Sequence, residues 1–295
     1  MTSQRRASSC SSYDNVICNN ALVVEGGAMR SVFSAGLLDG FLERQFNPFD
    51  FYIGVSAGAF NLAAYLSGIP GKSLEVYQKL ALDKAFISYW RFIRGGHLLD
   101  LDWLFETIPA ASYLDQEAVY RPGKPFYVCA SDVSTGEPAY INTTPENLER
   151  VMKASAALPL FYRNFPVIDG SPMTDGGVAD GIPVAQAIRM GATRILVVRS
   201  RHKSYLKKDT LGHRFVRWKL RKFPTLVATM HQRVSLYEET ISLIRNPPPG
   251  VKMIEVCPPE DFTIGRFNRR LEALLKGYQS GIEMAEDTIQ KWGSD

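Results

Sequence analysis

Short apolar runs, each closed by a glycine turn and followed by a stretch of helical period, set the layout of the chain. Ala21-Leu22-Val23-Val24 is a continuous apolar run of the length of a buried parallel strand. It stops at Glu25-Gly26-Gly27-Ala28-Met29-Arg30, after which Val32, Phe33, Gly36, Leu37, Phe41 and Leu42 recur at helical spacing as far as Phe46. The unit repeats at once: Asp50-Phe51-Tyr52-Ile53 has strand character, Gly54-Val55-Ser56-Ala57-Gly58 makes the turn, and residues 59–66 are helix-prone. Further along, the pattern predicts helices over 73–88, 145–157, 182–190, 225–245 and 267–292, with Thr144 as cap and Pro145 in the first position of the second of these. Strands are expected at 124–132, at its hairpin neighbour 138–142, at 193–198 and at 251–256. Between them, Val167-Ile168-Asp169-Gly170 and Met173-Thr174-Asp175-Gly176-Gly177 bring two Asp-Gly turns close together.

Alternation of strands and helices predicts an α/β fold, three-layered α/β/α with a mainly parallel central sheet and a mostly helical C-terminal extension. The expected division is a mobile tail over 1–20, a catalytic domain over 21–200 and a basic, mostly helical extension over 201–295 packed on the core. With 295 residues and 45% hydrophobic content the chain can bury a substantial core, and 22% charged residues argue against wholesale disorder. No apolar run approaches the ~20 residues that span a bilayer, and the first ten residues lack the apolar segment of a secretory signal, so a cytoplasmic protein is expected, with peripheral contact at the membrane as its further option. Cys10, Cys18, Cys129 and Cys257 lie far apart, which points to free thiols in a reducing compartment and to no metal site.

Charge changes this picture in one place. Residues 199–222 carry ten Lys and Arg against Asp209 alone, while the whole chain is only +4. Leu211, Phe215 and Trp218 are spaced as the apolar stripe of a helix flanked by these cations and ending before Pro224. Such a helix suits an anionic membrane surface; without interleaved aromatic platforms, nucleic acid is not the expected partner.

The chemistry centres on the two glycine turns. A strand-to-helix turn of the form Gly-x-Ser-x-Gly holds its serine at the tip, with Gly54 and Gly58 keeping Cβ atoms out of the neighbouring backbone. The loop at Gly26, Gly27 and Ala28 lacks both the Gly-Lys-Ser/Thr of a nucleotide phosphate loop and the spacing of a dinucleotide fingerprint, which leaves an oxyanion hole or a tight turn. A serine needs a base. His202 follows the strand ending at Val198, where a Ser-Asp-His order would place it; Asp175, beside the small Gly176-Gly177, would instead act directly as the partner of a Ser-Asp dyad.

Glycine loop, Gly-x-Ser-x-Gly and Asp-Gly-Gly, in that order and spacing, resemble the patatin-like phospholipases, and the bacterial branch in particular. The resemblance spans roughly residues 21–200 and includes Ala154-Ser155-Ala156-Ala157-Leu158-Pro159 and the stretch from Asp175 through Pro183 to Gly191. It implies that Ser56 is the nucleophile, Asp175 the proton acceptor without a histidine, and the amides around Gly26, Gly27 and Ala28 the oxyanion hole. The implied activity is hydrolysis of phospholipid or lysophospholipid ester bonds, with no cofactor. Glu25, Ala28 and Ser31 depart from the family pattern, Ala28 in a way that would narrow the loop, whereas Arg30 matches it and is expected to brace the loop or meet a phosphate. A soluble esterase using His202 and a catalytically silent lipid- or partner-binding module are the alternatives.

Overall fold

The computed structural model describes residues 19–109, 112, 114–207 and 213–294, with 213–215 described in backbone only. The expected N-terminal tail, with Cys10 and Cys18, therefore lies outside the described residues but for Asn19 and Asn20, and so does Leu211.

In chain order, β1 (Asn20–Val24) passes through a 3₁₀ turn at Ala28–Ser31 into α1 (Val32–Glu43), and β2 (Phe51–Val55) turns into α2 (Ala57–Leu66). Then come α3 (Lys72–Leu82), α4 (Tyr89–Ile93), α5 (Leu101–Thr107) and α6 (Gln116–Tyr120). Next come the hairpin of β3 (Phe126–Asp132) and β4 (Pro138–Asn142), α7 (Leu148–Ala156), β5 (Val167–Ile168) and β6 (Ser171–Asp175). The chain ends with α8 (Val184–Arg189), β7 (Arg194–Val198), α9 (His213–Lys219), α10 (Pro224–Arg245), β8 (Lys252–Val256) and α11 (Leu271–Ser294).

The strands form one sheet in the order β5-β6-β3-β2-β1-β7-β8, with β4 also paired to β3. Pairing is parallel from β3 to β8 and antiparallel at the other end. Strand side chains alternate between two faces. Leu22, Val24 and Tyr52 face a core that includes α1, α2 and Trp292 of α11, whereas Ala21, Val23, Phe51 and Ile53 face Val184 and Ala187 of α8 and Tyr237 and Ile244 of α10. Helices on both faces explain why β1, β2 and β7, after the polar first residues Asn20 and Arg194, carry apolar residues on both faces rather than alternating. The protein is thus an α/β protein with a central mixed sheet and further helices toward its C-terminus. α11 lies against α1 through glycines: a Cβ on Gly40 would sit 2.6 Å from the Ala285 Cβ.

Two helix boundaries differ from the sequence pattern. The helix expected over 73–88 stops at Leu82, because Asp83 turns extended and its carboxylate accepts the Ala85 N–H at 2.7 Å. Arg91 then holds the following loop, donating to the carbonyls of Ala85 (2.8 Å), Phe86 (3.2 Å) and His97 (2.9 Å). The helix expected from Pro145 starts at Leu148 behind Asn147, whose side chain accepts the Thr144 N–H at 2.8 Å and closes 144–147 into a turn.

Candidate active site

β3 is the template of the site. β4 occupies one edge of β3 over residues 127–131, so β2 and β6 share the other edge. β2 runs along it until Val55 pairs with Cys129, and β6 takes over where Asp175 pairs with Ala130. Consecutive positions of one strand therefore bring together the residue before Ser56 and Asp175, which are far apart in sequence. Ser131 fixes the second partner, its hydroxyl donating to the Asp175 carbonyl at 2.9 Å and accepting the Ala179 N–H at 3.1 Å.

Ser56 sits at φ 51°, ψ −128°, a conformation that a non-glycine residue adopts only under constraint. The constraint is visible on both sides. A Cβ on Gly54 would lie 2.5 Å from the Ala59 Cα, and one on Gly58 would lie 2.5 Å from the Val24 carbonyl oxygen, so the motif glycines let strand, turn and helix close on one another. The Ser56 N–H donates to the Ser155 hydroxyl at 2.7 Å, and that hydroxyl donates to the Cys129 carbonyl at 2.5 Å. Ser155, buried on α7, thus ties the turn to β3. Its segment belongs to the family pattern, but nothing in the sequence pattern indicated that its hydroxyl grips the Ser56 backbone. With Ser56 as nucleophile, Ser155→Ala is expected to leave the fold intact and to lower kcat by up to about 100-fold with little change in KM, since misplacing a reacting atom by about 1 Å costs on that order; steady-state kinetics beside a thermal melt check it.

The Asp175 carboxylate lies near enough to the Ser56 hydroxyl to be stabilised by it, and its Oδ1 accepts the Gly177 N–H at 2.8 Å. Ser56 is 8% and Asp175 5% exposed. Burial pushes the Asp175 carboxyl above its ordinary 3.8, opposed by the Arg266 guanidinium, the Ser56 hydroxyl, the Gly177 N–H and Arg233. A raised value means protonation begins at a higher pH than for an ordinary aspartate, and with Asp175 as base that protonation would silence it. The acid limb of kcat/KM on a neutral ester is accordingly expected above pH 3.8 and to be unmoved by His202→Ala; a limb at or below that value, from rates measured across pH 3 to 8, would contradict this.

The loop carrying Gly26, Gly27 and Ala28 lies against the serine turn: a Cβ on Gly26 would be 2.6 Å from the Val55 carbonyl oxygen and 2.9 Å from the Ser56 Cβ. Among the described residues no protein acceptor meets the N–H groups of Gly27 and Ala28. Ala28 stands at φ 50°, which accounts for glycine being the family's choice there. Glu25 anchors the loop, its carboxylate accepting the Ser200 N–H at 2.7 Å while its own N–H donates to the Val198 carbonyl. Arg30 is 5% exposed, and burial, with Arg266 and Arg201 nearby, pushes its guanidinium down to about 10.

Two cavities meet at Ser56. A polar chamber of about 310 Å³ has the glycine loop, Ser56 and Asp175 on one side and Arg201, Lys207, Arg233 and Arg266 on the other. An apolar pocket of about 80 Å³ is lined by Val76, Leu80, Phe86, Leu101 and Leu104. Ala28, Ser56 and Leu158 line both. Among the described side chains no histidine lines either cavity. His202 engages the Ser204 hydroxyl at 2.9 Å and the Glu260 carboxylate at 3.0 Å, and His97 stacks on Tyr162.

The basic segment 199–222 is not the single solvated face its composition suggests. Arg199 is fully buried, donating to Glu255 at 2.5 Å and to the Tyr237 hydroxyl at 2.9 Å, while Arg201 and Lys207 line the chamber. The expected stripe through Leu211, Phe215 and Trp218 also fails at Trp218, which is 57% exposed; Val216 of α9 and Leu220 just after it supply the buried face instead, with Val133, Val178 and Leu226.

The patatin-like phospholipase family model matches residues 22–188. A second family model, a domain of unknown function (DUF6363), matches residues 223–294. The uncharacterized protein YjjU of Escherichia coli (strain K12) is 37% identical over 268 residues, which make up 88% of this chain and 74% of that protein. Among solved structures, VipD from Legionella pneumophila superposes with a TM-score of 0.48 at 13% identity, covering 93% of this chain and 67% of that one. With the family model matching more than half of its length, the chain belongs to the patatin-like phospholipases, a family of lipid acyl hydrolases.

Proposed function

We propose that the protein is a serine acyl hydrolase that cleaves carboxylic ester bonds of phospholipids or lysophospholipids through a Ser56–Asp175 dyad. The observation that carries this reading is that the Ser56 hydroxyl and the buried Asp175 carboxylate line one chamber, with Ser56 where that chamber meets an apolar pocket. Ser56 Oγ attacks the acyl carbonyl carbon and its proton passes to Asp175. Since the Ser56 N–H is committed to Ser155, the oxyanion is held by the loop amides at Gly26, Gly27 and Ala28, each donor being worth about 3 kcal/mol. Collapse of the tetrahedral intermediate breaks the ester C–O bond, and the leaving alkoxide takes the proton from Asp175. Water then attacks the acyl-enzyme with Asp175 again as base, releasing the carboxylic acid and restoring Ser56. Arg266 and Arg233 oppose the cost of burying the Asp175 carboxylate. The apolar pocket receives the acyl chain, gaining about 25 cal/mol for each Å² removed from water.

Peripheral contact with anionic membranes belongs to this proposal. Arg217, Trp218 and Lys219 are exposed on α9, an arrangement suited to a charged interface. Reversing Arg217, Lys219 and Arg221 to Glu is expected to weaken sedimentation with phosphatidylserine vesicles at least tenfold, and binding in wild type to fall as salt rises; equal binding by the variant would remove this part of the proposal.

The hydrolase reading is tested by turnover of a p-nitrophenyl ester series and of mixed phospholipid micelles by folded wild type. Hydrolysis of both is expected. No turnover on any ester would favour a silent lipid-binding module.

A further inference from the structure

Five cations converge on the chamber beside Ser56: Arg30, Arg201, Lys207, Arg233 and Arg266. They face two carboxylates, Glu25 and Asp175, the first accepting the Ser200 N–H and the second the Gly177 N–H. Among the described residues no salt bridge closes on any of the five; the buried Nε atoms of Arg30 and Arg233, like that of Arg199, have no hydrogen-bond partner. Arg199 shows how the same fold treats a structural cation, with a carboxylate and a phenol placed on its guanidinium. The chamber cations are not treated so. Arg201 and Lys207 lie over ring faces instead, those of Tyr205 and Tyr237 at 4.3 Å and 4.6 Å. Burial and mutual repulsion push Lys207 down to about 7, with Arg233 and Arg266 adding to the effect and Glu25 and Asp175 opposing it.

Cations gathered in a partly dry chamber at a cost to one another require a countercharge from outside the chain. Guanidinium forks match phosphate oxygens, and a phosphomonoester offers three acceptor oxygens and a charge of about −1.5 to −2. A zwitterionic head group would bring its ammonium among these cations with few acceptors to meet it. The chamber and the apolar pocket lie on either side of the serine, so a lipid spanning both would have its ester bond at Ser56.

We infer that the substrate is an acyl ester carrying a terminal phosphomonoester, its phosphate seated among Arg30, Arg201, Lys207, Arg233 and Arg266 and its acyl chain in the apolar pocket. This rests on the proposed hydrolase function and narrows it. It also gives the C-terminal part of the chain a role in recognition. Arg201, Lys207, Arg233 and Arg266 all lie beyond the patatin-like match at 22–188, and the last two fall within the second matched region, 223–294.

The test compares 1-acylglycerol 3-phosphate, its phosphocholine ester and the plain monoacylglycerol, all with one acyl chain, in neutral-detergent micelles at fixed ionic strength. Wild type is expected to prefer the phosphomonoester over the monoacylglycerol at least 100-fold in kcat/KM. That ratio is expected to fall at least tenfold in Arg233→Gln and in Arg201→Gln, each verified as folded by thermal melting, and inorganic phosphate is expected to compete with the phosphomonoester substrate. Equal rates on all three substrates would overturn the head-group assignment while leaving the hydrolase intact. Acceleration of monoacylglycerol hydrolysis by inorganic phosphate would overturn it too, assigning the chamber to free phosphate as an effector. Should folded wild type cleave none of the three, the hydrolase reading fails, and calorimetry with acylglycerol phosphate decides the chamber separately: binding lost in Arg233→Gln upholds it, and absence of binding overturns it.

Discussion

Ser56→Ala is expected to lower kcat/KM for every ester by about 10⁴-fold or more while leaving the melting temperature within a few degrees of wild type. Removing the nucleophile of an acyl-transfer site costs on the order of 10⁶ in a well-studied serine hydrolase, and what survives comes from binding and the oxyanion donors. The variant keeps everything that shapes the turn. Gly54 and Gly58 still allow the close approach of strand and helix, and the N–H of residue 56 still donates to Ser155, a bond that uses the backbone only. Alanine bears the same cost as serine at φ 51°. A folded but inactive protein is therefore the expected result, and substrate affinity, measured by calorimetry with a non-hydrolysable ether analogue, should be retained. Activity within tenfold of wild type would remove Ser56 from the chemistry.

Asp175→Asn is expected to cost about 10³- to 10⁴-fold in kcat, as does loss of the carboxylate in other serine hydrolases. The amide is isosteric, and its oxygen can still accept the Gly177 N–H, so the turn after β6 survives. What it cannot do is take a proton from Ser56. The same change strips a negative charge from the chamber. Arg266 and Arg233, both of which act on the Asp175 carboxylate, are then opposed by Glu25 alone, and the KM for an anionic lipid should fall as its affinity rises. Lower kcat combined with lower KM on an anionic lipid, without the KM change on a neutral ester, distinguishes this from general damage. His202→Ala is expected to change neither parameter, since His202 is engaged with Ser204 and Glu260 and lines neither cavity.

The parts of the site that could be read in the sequence are those encoded by local rules. A strand, a glycine and a helical period are written in neighbouring residues, so the loop at Gly26 and the turn at Ser56 were legible, as was Asp175 at the end of a strand-like run. The role of the Ser155 hydroxyl and the convergence of Arg201, Lys207, Arg233 and Arg266 on one chamber were not, although the sequence singles out Arg30. The Ser155 hydroxyl acts on a backbone 99 residues away, through β3 as an intermediary. Arg233 has the composition of an ordinary position on α10, and Arg266 that of a loop residue; only the packing of α10 and of the loop before α11 around the sheet aims both at one space. Segment 199–222 shows the reverse error. Charge counted along the chain suggested one basic face, whereas the fold sends Arg199 inward to Glu255, Arg201 and Lys207 into the chamber, and leaves Arg217 and Lys219 on α9 outside.

Whether a carboxylate alone activates Ser56 decides the mechanism. Labelling by a fluorophosphonate, read as adduct mass on the intact protein and mapped by peptide, measures that activation without assuming any substrate. One adduct per chain at Ser56 is predicted for wild type and for His202→Ala, with labelling slowed at least 100-fold in Asp175→Asn and absent in Ser56→Ala. A folded wild type that stays unlabelled, or a His202→Ala variant that loses its label while Asp175→Asn keeps it, would contradict the dyad.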